Sequence, residues 1–460
     1  MRHLISAVIA LTLAAGAVAS ERSSGAPPVA PRLSAPVYVV TGGGYGHGVG
    51  LNQYGALAQA KAGRSYRDIL GFYYRGTAIG TSPATKVRVL VASGRLKLRI
   101  GSTVPFAVRD ATGTETALPA GEMVLDGKLE VPVDGAPTPL PGPLAFVPGK
   151  GATLTLDGKG YRGQLRVAPV EGGLQAINVV GLEAYLLGVV PGEVPKEWPP
   201  EALKAQAVAA RSYTLASLVK NHPFDLYADQ RSQVYYGVGY ESPATSAAVK
   251  ATRGEVLTYD GKIVAAFYYS SSGGRTASSE DVFGLPYPYL HTRPDPWDDA
   301  SPFHRWAPKR YTQATLARAF ALASPVVDVD VVPTPSGRPA SVTLVTRVGA
   351  RMKLRATEVR RRLALRSTAF RIGVLRIAGS PGSRRPGTPI TIKGIARDVD
   401  GAMLEKLGAA GTWLPTARVA PAADGTFSVL VRPRATATYR LSAAGLPGPA
   451  LTVTVTSGAR

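Results

Sequence analysis

The 460-residue chain has no cysteine. That excludes disulfides, thiolate metal sites and a thiol-linked lipid anchor. Stability must come from buried apolar area, and a chain of this length can build two or three separate cores. Long apolar runs are missing as well. Charges, glycine or proline interrupt every one after the start of the chain. The Leu4–Ala15 stretch is shorter than the roughly 20 residues that cross a bilayer. Acidic residues are scarce, 31 Asp and Glu against 53 Lys and Arg, for a formal charge of +22. Such a balance favours anionic polymers as partners. Plain solubility with a preference for arginine accounts for the charge equally well. The run Arg360-Arg361-Arg362 with Arg366 and Arg371 reads as a solvated helix face.

What is present begins with MRHLISAVIALTLAAGAVAS, a basic start, an apolar stretch and the small-residue pattern Ala17-Val18-Ala19. This is the layout of a signal peptide over residues 1–19, cut before Ser20. Export makes nucleic acid a poor partner, and no stable membrane insertion is expected after cleavage. Wall polymers carrying carboxylates and phosphates fit better, with an attraction that salt would weaken. Residues 20–36, rich in Pro, Ser and Ala, read as a flexible leader.

Next comes the glycine loop TGGGYGHGVG, then LNQYGALAQAKAG, where Leu51, Tyr54, Leu57 and Ala58 recur at helical spacing and Gly63 supplies a stop. A second short helix follows with Ser65 as its cap. Residues 85–180 break into short Val-, Ile- and Leu-rich segments separated by Gly, Asp or Pro, an antiparallel β region. Helical patterns resume over Leu182–Val190 and, more strongly, over Glu201–Lys220. Ser242-Pro243 opens another helix that Gly254 closes. EVLTYDGKIVAAFYYSSS reads as a hairpin turning at Asp260-Gly261. Residues 380–389 look like a linker, and 390–460 hold evenly spaced strands that suggest a small immunoglobulin-like β-sandwich.

Three places could carry chemistry. Glu193 lies between a helix-like stretch and a loop that Pro191, Pro195, Pro199 and Pro200 make stiff and non-helical. Val190, Val194 and Trp198 lie close in sequence, and a carboxyl held rigidly among apolar groups has the raised pKa that a general acid needs. An ordinary hydrogen bond to loop amides would also explain it. The helix that follows puts Leu203, Ala207, Ala210 and Leu218 on one side, with Gln206 and Tyr213 near its edges. His47 sits among glycines 44, 46, 48 and 50, which permit positive φ and close backbone approach; neither phosphate-loop pattern fits them. The cluster Ser270–Thr276 lacks a nucleophile-elbow spacing and suits a carbohydrate groove better than a serine nucleophile. His291 and His304 have no metal-site spacing and read as structural.

Taken together, VVPGEVPKEWPPEALKAQAVAARSYTLA, DQRSQVYYG, AVKATRGEVLTYDGKIVAAFYYSSSGGRT and GYGHGVGLNQYGALAQAKAG resemble the signatures of the stage II sporulation protein D / LytB amidase-enhancer (SpoIID/LytB) family. The resemblance covers most of 38–80 and 165–375. It implies an α+β SpoIID-like domain over 37–379, with the antiparallel β-rich subdomain 85–180 inside it; the immunoglobulin-like β-sandwich read from strand spacing follows the linker. The GHGVG-type motif precedes the main domain here rather than following it, which implies a circular shift with 38–80 packed beside the strands near 265–295. Some relatives carry Cys and His in the loop equivalent to 228–233. Here it is Ala-Asp-Gln-Arg-Ser-Gln, so no metal and no cofactor is expected.

The implied activity is a lytic transglycosylase that cuts peptidoglycan glycan strands between N-acetylmuramic acid and N-acetylglucosamine, with Glu193 as acid/base. The expected substrate-binding residues are His47, Gln53, Gln206, Arg211, Tyr213, Gln233, Ser271 and Ser272. A water-using glycosidase would need a second carboxylate, for which Glu197 and Asp229 are the nearby candidates. A noncatalytic enhancer that works with a cell-wall amidase is the alternative.

Overall fold

The computed structural model describes residues 33–379 and 382–456. The expected signal peptide and nearly all of the leader lie outside them. Two short helices follow the glycine loop, α1 (Gln53–Lys61) and α2 (Tyr66–Tyr73). Ser65 caps α2 reciprocally: its hydroxyl accepts from the Asp68 amide while the Asp68 carboxylate accepts from the Ser65 amide.

From Lys86 to Gly181 the chain is built of strands. Six of them pair antiparallel in one sheet, with the two-residue strand Leu226–Tyr227 added in parallel at its edge. A four-stranded sheet shares its core, Leu98, Ile100, Leu125 and Leu154 packing with Val87, Val89, Val108 and Val167. Leu186, Val189 and Val190 of the next helix, α3 (Leu182–Glu193), close the same core.

That helix runs through Pro191 and ends on Glu193 itself, so Glu193 is a helix residue and not the loop residue that the proline spacing suggests. A proline in the last turn removes only one helical hydrogen bond. Likewise Pro200 is the first residue of α4 (Pro200–Ala216), where a missing N–H is harmless. Helix α4 stops before Leu218, which is exposed and belongs to none of the cores. Most of the helix is buried, and its apolar residues serve two cores. Leu203, Ala207 and Ala210 face the core of the β region, whereas Ala205, Val208 and Ala209 face a second core made by Leu51, Ile69, Leu70, Tyr74 and Leu257.

This second core joins the start of the chain to residues 255–290. The strand Ala78–Thr81 pairs antiparallel with Glu255–Tyr259, and Leu51–Asn52 runs parallel to Tyr268–Tyr269. Tyr45 and Ser271 exchange both backbone hydrogen bonds, 2.7 and 3.1 Å. The segment 38–80 is therefore packed beside the strands near 265–295, as expected. The hairpin turns where its Asp-Gly pair stands, Asp260 and Gly261 both having positive φ (51° and 70°). Helix α5 (Pro243–Ala251) precedes it, with Ser242 as N-cap.

The strand Val37–Gly42 lies between Lys309–Thr312 and Phe370–Ile377, and the latter pairs in turn with Ile390–Arg397. The strands on either side of the expected linker are thus neighbours in one sheet. Val37, Val39, Leu375 and Ile377 share a core with Ile390, Leu404, Phe427, Tyr439 and Val453. Their alternate neighbours Tyr38, Val40, Ile372 and Val374 face a different core with Leu316, Phe320 and Leu344. A sheet buried on both faces reads as a continuous apolar run, which is why these two strands carry so few polar residues.

Candidate active site

The end of α3 opens into a cavity of about 800 Å³ lined by Glu193, His47, Gln53, Tyr213, Tyr268 and Arg360, among others. Glu193 is the only carboxylate among its described lining residues. Its Oε1 accepts a hydrogen bond from the Val234 amide at 2.7 Å. Burial pushes the carboxyl pKa above its ordinary value, and the bonds from Val234 and the Tyr268 hydroxyl only partly offset this. The Tyr268 hydroxyl accepts from Gln233 Nε2 at 3.0 Å. Its own pKa is raised, first by burial and then by the charge of Glu193, so it stays a neutral donor.

Burial keeps His47 neutral as well, with the opposite sign of shift. Burial lowers its pKa to about 4, and the nearby Arg338 guanidinium adds to the effect. Nδ1 accepts from the Val49 amide at 3.1 Å, which puts the proton of the neutral ring on Nε2. The ring leans on Tyr269 and Phe283, both 5.4 Å away between centroids. The chain reaches this position because Gly50 has a φ of +83°, and a Cβ there would overlap the Phe267 carbonyl oxygen.

Of the residues expected to bind substrate, His47, Gln53 and Tyr213 line the cavity with Glu193. Gln206 stands one step behind. It is buried, and Gln53 Nε2 lies 3.4 Å both from its Oε1 and from the Glu193 carbonyl. Gln233 is also buried, with Oε1 taken by Tyr185 and Thr214 and Nε2 shared between Ala210 and Tyr268. It positions Tyr268 and does not reach the cavity.

Arg211 does not reach it either. Its side chain is fully buried and forks onto Glu183 at 2.9 and 2.8 Å. Ser271 and Ser272 are turned away, towards Asp298. The buried Asp298 carboxylate accepts from the Ser271 hydroxyl, the amides of Ser272, Gly273 and Gly274, Asn52 and His304. These serines tie the glycine loop to the start of α1, and Ser270 takes the place in the cavity.

Neither candidate for a second carboxylate lines the cavity. Asp229 is held by Arg231 at 2.7 Å and Glu197 is exposed. Arg360 corrects the reading of its run as a solvated face. Arg361 and Arg362 pair with Glu358 at 2.7 and 2.6 Å, while Arg360 is half-buried in the cavity wall. Sequence reasoning misses Tyr268 and the Val234 amide too. The nearest signal for Tyr268 is its place between the hairpin and the serine cluster, and a backbone amide leaves no signal at all.

The stage II sporulation protein family SpoIID matches residues 170–259. An uncharacterized protein of Brachyspira hyodysenteriae is 41% identical over 140 residues, 30% of this chain and 38% of that protein. Stage II sporulation protein D of Bacillus subtilis is 31% identical over 216 residues, 43% of this chain and 61% of that protein. The Bacillus subtilis amidase enhancer is 43% identical over 113 residues, 25% of this chain and 15% of that protein. The chain therefore spans less than two thirds of the length of each of these relatives. The segment matched by the family holds Glu193, Gln206, Tyr213, Gln233 and Val234, and through it this chain carries a SpoIID-family domain.

Proposed function

We propose that this protein is an exported peptidoglycan lytic transglycosylase that cleaves between N-acetylmuramic acid and N-acetylglucosamine and leaves a 1,6-anhydro-muramic end. The observation that carries this is a lone, half-buried carboxyl with a raised pKa in a cavity large enough for sugar rings. Protonated Glu193 donates its proton to the glycosidic oxygen, and the C1–O bond breaks. The resulting carboxylate then takes the proton of the muramic C6 hydroxyl as that oxygen bonds to C1. No water is consumed, so one carboxyl serves both steps, whereas a hydrolase normally needs two. Tyr268 and the Val234 amide orient the carboxylate between the steps, and the His47 ring forms part of the cavity wall beside them.

Among the described residues no helix is long and apolar enough to cross a membrane. The N-terminal pattern supports action at the cell wall, where anionic wall polymers would meet the positively charged chain. The amidase-enhancer relative favours a second reading, a noncatalytic partner of a wall amidase. Mass spectrometry of peptide-free glycan strands after incubation separates the readings. Anhydro ends made by the parent and not by Glu193→Gln support the transglycosylase, reducing ends point to hydrolysis, and intact strands that are nevertheless bound point to the enhancer.

A further inference from the structure

Outside the cavity, Tyr236 and Tyr240 are 40% and 56% exposed, with ring centroids 4.2 Å apart and planes inclined by 32°. Neither ring belongs to a core. Their stacking is fixed by backbone. Gly237 between them has a φ of +72°, and a Cβ there would overlap the Gly160 carbonyl oxygen. Only glycine makes the turn that folds the 3-10 segment Val238–Tyr240 back over Tyr236. Tyr236 is also anchored at the cavity. Its ring and the Val234 side chain pack over Gly192, where a Cβ would lie 3.4 Å from Tyr236 Cδ2. Gly192 precedes Glu193, and Val234 lines the cavity.

We propose that Tyr236 and Tyr240 form a stacking subsite for a further saccharide ring of the strand held at Glu193. This rests on the glycan-cleaving reading and extends it by one point of attachment. A pyranose ring has a flat face of C–H groups, which suits the electron-rich face of an aromatic ring, and hydroxyl edges that stay in water. Glu241, next to Tyr240, is held by Arg162 at 2.7 and 2.8 Å, which leaves neither group free to bind an ion. Two rings are also far too small for a stable protein interface.

The test uses the full chain carrying Glu193→Gln, so that strands bind without being cut. Affinity is measured by calorimetry for long peptide-free glycan strands and for a single disaccharide of the same polymer. Tyr236→Ala and Tyr240→Ala should each weaken long-strand binding roughly tenfold and leave the disaccharide unchanged, while Tyr240→Phe should bind as the parent does. Alanine variants that bind long strands like the parent would overturn the subsite alone. A parent that binds no glycan of either length would overturn the glycan reading and the subsite with it.

Discussion

Replacing Arg211 by methionine removes a guanidinium that does not line the Glu193 cavity and holds four acceptors. Its Nε and Nη2 bond to the two oxygens of Glu183, and Nη1 and Nη2 reach the carbonyls of Glu255 and Val249 at 3.1 and 3.3 Å. Taking one partner from a buried ion pair costs about 3–5 kcal/mol. The Glu183 side chain is 25% exposed and keeps the Gly254 amide at 3.3 Å, so water can recover part of the loss. The expected cost is about 3 kcal/mol, the lower end of that range, or roughly a hundredfold in the folding equilibrium. Urea unfolding followed by circular dichroism would show it as a lower midpoint at unchanged slope. Glycan affinity and cleavage per folded molecule should not move. Adding Glu183→Leu should restore much of the stability, because the stranded charge is then gone. A variant as stable as the parent but weaker in glycan binding would refute this account and return Arg211 to the substrate site.

Glu193→Gln should lower cleavage by about 10²–10⁴-fold and raise the thermal midpoint at neutral pH. The folded chain holds the Glu193 proton more tightly than the unfolded one, so the penalty for its charge grows as pH rises through the raised pKa; a midpoint gap that failed to close in acid would contradict this. His47 has the opposite sign. Its unfolded ring protonates near about 6.5 and the folded one near about 4, so urea midpoints should fall as pH drops across that window, and less so in His47→Gln. Tyr268→Phe should cost about 1 kcal/mol for the lost Gln233 bond. It also removes a hydroxyl that favours the Glu193 carboxylate, so the basic limb of the pH–rate profile should move to higher pH.

Local signals survive folding where a few residues decide the outcome. Ser65 with Asp68 caps α2, Asp260-Gly261 makes the hairpin turn, and the long motif carries Glu193 to the cavity. Signals fail where the deciding partner is remote. Pro191 reads as a helix breaker, yet the packing of Val189 and Val190 in the core carries α3 on to Glu193. Arg211 reads as a ligand-binding group because nothing in its own helix reveals Glu183. Arg360 and Arg361 are neighbours in sequence with opposite fates, and only Glu358 and the cavity distinguish them.

The early glycine motif shows why chain order matters less than the set of contacts. The loop from Gly42 to Gly46 has no partner near it in sequence. Its amides bond to the carbonyls of Ala369, Phe303, Ser271 and Arg366, and the Trp306 indole donates to the Gly44 carbonyl. These partners belong to segments more than two hundred residues away, already brought together around Asp298 and the Phe370–Ile377 strand. Closing a loop twice as long costs only about 0.6 kcal/mol more. A motif near residue 45 can therefore meet partners this far along the chain at little cost, provided that Val37–Gly42 can enter the sheet beside Phe370–Ile377. The strand meets that condition with apolar residues on both faces, Val37 and Val39 towards one core and Tyr38 and Val40 towards the other, and it leads the chain on to His47 at the Glu193 cavity.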